Sequence, residues 1–236
     1  MHAITVRQEI VDRVLQRRGR YHLFDRLDPR RTALVVIDMQ GTFCAPGSPA
    51  EVPAARGIVA PINTLTAELR GLGVPVIWVL HANARHGGKS GSKSDWELFF
   101  NYIVADDVRA RTLASLAAAR QEVWSELVVG PDDRTVLKNR YSALIAGSSQ
   151  LERILRGMEI DTLLVAGTKT NICCESTARD AMMLDFKTVM VEDCCAALSD
   201  DEHRAALENM IQQFGDVMTA HEVVARLRAT ANAAEV

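Results

Sequence analysis

The chain has 236 residues, 48% of them hydrophobic and 24% charged, with a formal net charge of -3. That length and apolar share suit one α/β domain with a sizeable core, and the slightly acidic balance offers no positive field to a phosphate backbone, so a small-molecule ligand is expected and nucleic acid is not. Met1 is not followed by the apolar core of a secretion signal, no apolar run is long enough to span a bilayer, and five cysteines leave one thiol over. A reduced, cytoplasmic protein with no disulfides and no membrane partner is therefore expected.

In chain order, His2 to Arg20 spaces Ile4, Ile10, Val11, Val14 and Leu15 as a helix before a basic stretch. Residues 1–28 read as an arm that packs on a neighbour or stays loose. The β-branched run Ala33 to Ile37 is the first expected strand, followed by an amphipathic helix over Ile58 to Leu72 and a strand over Val74 to Leu80. The stretch Gly87 to Ser94 lacks the spacing of a phosphate-binding loop and reads as part of a lid over residues 85–95. Trp96, Phe99, Phe100 and Tyr102 then form an aromatic cluster suited to a subunit contact, or to a wall of the site. Beyond it come strands at Thr135 to Leu137, Thr162 to Ala166 and Lys187 to Val191, with helices at Ser148 to Met158 and Ser176 to Leu184. The alternation predicts a three-layer α/β/α sandwich with a mainly parallel central sheet over residues 29–228, and a frayed tail over 229–236.

Reactive groups of such sheets collect at the carboxyl ends of strands, where Asp38, His81, Lys138 and Cys173 fall. Cys173 follows a strand and opens a helix, whose unpaired N–H groups and partial positive charge favour thiolate over thiol. Asp38 can accept the thiol proton and Lys138 can favour the anion. Each also has a plainer reading: Asp38 as a turn residue, Lys138 as a solvated strand end, and Cys173 as an inert buried thiol.

Three segments carry a resemblance: Ala33-Leu-Val-Val-Ile-Asp-Met-Gln40, Val136-Leu-Lys-Asn-Arg-Tyr-Ser142 and Val165-Ala-Gly-Thr-Lys-Thr-Asn-Ile-Cys-Cys-Glu-Ser-Thr-Ala-Arg-Asp-Ala181. Together they resemble the isochorismatase-like cysteine hydrolases from about Asp28 to Leu227, and within them the ureidoacrylate and N-carbamoylsarcosine amidohydrolase branch. The resemblance implies that Cys173 attacks an amide or ureide carbonyl to give a thioester, that Asp38 moves protons, and that Lys138 stabilises the anionic arrangement. It further implies a cis peptide between Thr168 and Lys169, and an oxyanion hole from the backbone N–H groups of Lys169 and Cys173. Departures are Cys174, where Val is usual, and Lys169, where a small residue is usual.

True isochorismatases cleave a vinyl ether and lack the cysteine, so Cys173 points to hydrolysis of a small carboxamide, ureido or N-carbamoyl compound. Nicotinamidases carry an Asp-x-His metal set, whereas His81-Ala-Asn83 and His86 lack the carboxylate, so neither a metal nor an organic cofactor is expected. Phe43, His81, Asn83 and Tyr141 are the candidate substrate contacts, and a homodimer or homotetramer is the expected assembly. The competing readings are a non-catalytic binding or assembly protein on the same fold, a vinyl ether hydrolase, and a thiol redox protein using Cys173 and Cys174.

Overall fold

The computed structural model describes residues 2, 4–83, 105–117 and 121–234. Its strands are β1 (Thr32–Ile37), β2 (Val76–His81), β3 (Arg134–Lys138), β4 (Thr162–Thr168), β5 (Lys187–Ala196) and β6 (Asp216–Met218), all parallel, in the order β3-β2-β1-β4-β5-β6. The helices used below are α1 (Gln8–Arg18), α2 (Gly41–Cys44), α3 (Val59–Gly71), α4 (Asp106–Ser115), α5 (Leu151–Gly157), α6 (Glu175–Met183), α7 (Asp200–Asn209) and α8 (Ala220–Ala234).

β1, β2 and β4 are buried along their whole length, which is why they read as continuous apolar runs without alternation. Successive residues still face opposite layers. Leu34, Val36, Trp78, Leu164 and Val189 pack with Ile62, Leu65 and Leu69 of α3 and Val223 and Leu227 of α8. Val35, Ile37, Ile77, Val79 and Val165 pack with Ile10 and Val14 of α1, Leu155 of α5, Ala178 of α6 and Leu207 of α7. Each large aliphatic chain buried this way contributes about 1.5–3 kcal/mol.

The strand order reverses at β1. Its neighbours are β2 on one side and β4 on the other, so a crevice opens beyond the carboxyl ends of β1 and β4. The two strands come so close that Ile37 is in register with Gly167, and a Cβ on Gly167 would lie 2.1 Å from the Ile37 carbonyl oxygen. Gly167 also has φ +112, a conformation that L side chains rarely adopt.

Several elements differ from expectation for identifiable reasons. β2 starts at Val76 because Pro75 has no N–H to give the ladder, although its carbonyl accepts from Leu34 N at 3.0 Å. α5 starts at Leu151 because the Ser148 and Ser149 hydroxyls donate to the Ser142 and Ala143 carbonyls, both at 2.6 Å, and hold a turn there. β6, with three residues, is too short to show a period. The N-terminal arm folds on its own chain: Ile10 and Val14 are core residues, and Arg7 forks onto Glu208 with contacts of 2.9 and 2.6 Å. Residues 229–234, expected to fray, continue α8. Among the described residues no helix is long and apolar enough to cross a membrane.

Candidate active site

β1 is followed directly by Asp38, which takes the left-handed conformation (φ +56) while its N–H bonds to the Val79 carbonyl of β2 at 2.8 Å. A non-glycine residue in that region costs of order 1 kcal/mol, and such strain gathers at functional positions. Two residues on, Gln40 ties β1 to β2 from the side chain. Its Oε1 accepts the His81 N–H at 2.7 Å and its Nε2 donates to the His81 carbonyl at 3.0 Å. β3 pairs with β2 so that Lys138 lies opposite His81.

Lys138 is fully buried, and each of the three donors of its ammonium meets an acceptor: Asp38 Oδ2 at 2.9 Å, the Arg140 carbonyl at 3.0 Å and His81 Nδ1 at 3.4 Å. Burial opposes the charge on Lys138, but Asp38 and Cys173 outweigh it and raise the pKa. Asp38, with no exposed surface, has this ion-pair contact and no donor in well-aligned hydrogen-bond geometry. Burial raises its carboxyl above the ordinary value, against the lowering by Lys138 and the Cys173 thiol. The result is a carboxylate of increased basicity. His81 is held neutral, well below its usual value, by burial and then by Lys138. With Nδ1 accepting from the ammonium, its Nε2 carries the proton and meets no partner among the described residues.

Beyond β4 the chain passes a cis peptide between Thr168 and Lys169, makes a π-helical turn over Thr170–Cys174, and then enters α6. Cys173 is 4% exposed. Its carbonyl accepts from Thr177 Oγ1 at 2.7 Å, and that oxygen accepts the Ala143 N–H at 3.1 Å, so the turn is tied to the loop after β3. The expectation of a stabilised thiolate is corrected here. Burial first, and then Asp38, push the Cys173 pKa well above that of a free thiol, with Lys138 acting against them. The sulfur rests as a thiol beside a base, because it is buried, the effect of Asp38 outweighs that of Lys138, and the α-helix begins only after it.

The structure thus brings Asp38, Lys138, His81 and Cys173 to one point. Tyr141 joins them: its hydroxyl is pushed up to about 12 by burial and by the sulfur of Cys173. It also lines a cleft of about 380 Å³ together with Arg140, Ile145, Ser176, Arg179 and Met183. Phe43, on α2, packs into the core layer opposite to that of Cys173. Asn83 is buried, with its N–H on the Leu116 carbonyl at 2.7 Å just beyond the end of α4. Lys169 is half-buried, and Cys174 is a core residue whose thiol points at the Ala166 carbonyl, 3.7 Å away. All five cysteines are unpaired and buried. His86, the region 85–95, Trp96, Phe99, Phe100 and Tyr102 lie outside the described residues. Among those described, no three His, Cys, Asp or Glu side chains are placed to hold a metal ion. Gln40, Gly167 and Thr177 had no assigned role from sequence, although each lies inside a segment that carried the resemblance.

Fold and site together define an α/β protein with a thiol, a carboxylate and an ammonium at the switch point of a parallel sheet. The isochorismatase domain matches residues 32–222, and the chain belongs to that family of hydrolases. It is 31% identical over 205 residues to a ureidoacrylate amidohydrolase, RutB, of Caulobacter vibrioides, covering 82% of this chain and 89% of that protein. It is 27% identical over 199 residues to a maleamate amidohydrolase of Pseudomonas putida, covering 84% and 88%. A crystal structure of a cysteine hydrolase from Pseudomonas syringae pv. phaseolicola superposes with a TM-score of 0.75 at 31% identity, over 86% of this chain and 95% of that one.

Proposed function

We propose that the protein is a cysteine-dependent amidohydrolase that cleaves a small carboxamide, ureido or N-carbamoyl compound through a thioester on Cys173. The observation that carries this reading is the 2.9 Å contact between the buried Lys138 and Asp38, with the thiol of Cys173 subject to both charges. Asp38, a carboxylate of raised basicity, takes the thiol proton as sulfur attacks the carbonyl carbon, and Lys138 offsets the negative charge that develops. The backbone N–H groups of Lys169 and Cys173 receive the oxyanion. The tetrahedral species collapses as Asp38 returns its proton to the departing nitrogen, which leaves as ammonia or an amine. Asp38 then takes a proton from water, which attacks the thioester, and the proton returns to sulfur. The net reaction is amide plus water to carboxylic acid plus amine.

Relatives that act on ureidoacrylate and maleamate support a substrate with a short acyl chain. His81 Nε2 and the cleft at Tyr141 are the groups offered for recognition, with Phe43 and Asn83 as further contacts. Five unpaired cysteines suit a reducing, cytoplasmic setting, and the assembly we propose is a homodimer or homotetramer. The test is ammonia release over a panel of ureido acids, N-carbamoyl amino acids and carboxamides, with Cys173→Ala alongside. Turnover of one compound class that vanishes in the variant supports the reading. Turnover that survives in the variant overturns it.

A further inference from the structure

The turn that carries Cys173 is held by a set of contacts that the chemistry above does not use. Thr170, its first residue, has no exposed surface, and its Oγ1 lies 2.8 Å from Nδ1 of His203. His203 sits on the first turns of α7, whose start is fixed by a reciprocal cap: the Ser199 hydroxyl accepts from Glu202 N at 3.2 Å, and Glu202 Oε2 accepts from Ser199 N at 3.1 Å. The ring is 3% exposed and is pushed down to about 3 by burial and then by His2, so it is neutral at ordinary pH.

His2 completes the path. Its ring stacks on that of His203 with centroids 4.4 Å apart and planes 19° from parallel, although the two residues are 201 positions apart in the chain. Its Nε2 accepts the Ala197 N–H at 3.0 Å, so the ring proton must be on Nδ1, which faces Asp200 Oδ1 at 2.6 Å. The side chain is 5% exposed, and the strap behind it is fastened by the Arg7–Glu208 fork. Ala197 follows Ala196, whose carbonyl accepts the Thr168 hydroxyl at 3.1 Å on the other flank of the same turn.

We infer that His203, braced by His2, is a positioning residue for the reaction and acts through the Thr170 hydroxyl. Three features set it apart from ordinary packing. The hydrogen bond falls on the residue directly after Lys169 and three before Cys173, between the two N–H groups assigned to the oxyanion. Both partners are buried, at 0% and 3% exposure, so the Thr170 hydroxyl and the ring nitrogen have each other at 2.8 Å in place of water. The turn is π-helical, so its backbone does not have the regular ladder that would keep an α-helix in place without help. Nucleophile placement matters steeply, since a displacement of about 1 Å can cost about a hundredfold in rate. The inference rests on Cys173 being the nucleophile.

The test uses the full chain, with iodoacetamide as the probe of Cys173 and the modified peptide identified by mass. Thr170→Val keeps the side-chain shape and removes the hydroxyl, while His203→Ala removes its partner and His203→Asn restores a short polar group. Alkylation of Cys173 is expected to slow about tenfold in Thr170→Val and in His203→Ala, with melting temperatures within about 4 °C of the parent. His203→Asn recovers much of the rate. The Thr170→Val/His203→Ala double variant is no slower than the worse single one, because the two side chains act on one path. His2→Ala gives the same effect in smaller measure. Unchanged or faster alkylation in Thr170→Val overturns the inference even if His203→Ala does not fold, and so does a double variant whose losses multiply. Loss of the nucleophile reading has a different signature: Cys173→Ala would then hydrolyse the amide panel as the parent does. An alkylation result that overturns the inference while Cys173→Ala is inactive leaves that reading standing.

Discussion

Asp38 and Asp216 are both aspartates without exposed surface, each at one end of a strand in the same sheet, yet their surroundings are opposite. Asp216 is saturated. Its Oδ2 accepts Leu23 N at 2.6 Å and Phe24 N at 3.0 Å, its Oδ1 accepts Val217 N at 3.0 Å, and His22 Nδ1 donates to that same oxygen at 3.1 Å. Asp38 has one ammonium at 2.9 Å, a thiol beside it, and as its one backbone donor the poorly aligned N–H of His81. A buried carboxylate that only holds the chain together has its lone pairs filled by rigid N–H groups. One left with spare acceptor capacity next to a thiol remains able to take a proton.

The largest effects that sharpen this contrast are on turnover. Asp38→Asn, which keeps the shape and removes the base, should lower kcat/KM by roughly a thousandfold or more while circular dichroism and melting temperature change little. Asp216→Asn should do the reverse: a loss of about 2–3 kcal/mol in denaturant unfolding, with kcat unchanged for the folded fraction. If Asp216→Asn lost turnover and Asp38→Asn lost only stability, the contrast would be inverted. Gly167→Ala is next, because its Cβ would strike the Ile37 carbonyl directly before Asp38 in a backbone conformation alanine resists. A loss of about 4 kcal/mol or more is expected from unfolding curves.

The pH dependence separates the two regions more gently. Both ring nitrogens of His22 face carboxylates, Asp216 and Glu222 at 3.1 Å each, and the bond to Asp216 chiefly raises its pKa. The folded protein therefore binds that proton more tightly than the unfolded chain does. Its stabilisation is complete below about pH 6.5 and fades as pH rises through the elevated folded value. His203 has the opposite sign: its folded value is lowered to about 3, so the unfolded chain binds more protons and stability falls as pH drops below about 6.5. His22→Gln should flatten the alkaline side of a melting-temperature profile, and His203→Asn the acid side.

How much of this could be read from sequence follows from the range of each interaction. β1 and β4 are visible because burial on both faces writes an uninterrupted apolar run, and their ends then place Asp38 and the Cys173 segment. Lys138 follows from the end of the shorter, half-exposed β3, although its burial does not: nothing in Thr135 to Leu137 says that an ammonium will meet acceptors from the ends of two other strands as well as the nearby Arg140 carbonyl. The π-helical turn has an apolar spacing that cannot be told from the α-helix it joins, and the burial and the Asp38 carboxylate that raise the Cys173 pKa come from tertiary packing that the local sequence does not record. The role of Asp216 depends on a partner 193 residues away and that of His203 on one 33 residues away, which no local pattern records.

The most direct measurement is intact-protein and peptide mass spectrometry after rapid acid quench of the enzyme with a compound it hydrolyses. The account predicts a mass increase equal to the acyl portion of that compound, carried on the Cys173 peptide and absent from Cys173→Ala. Steady turnover with no adduct on Cys173, or with the adduct on another residue, would contradict it.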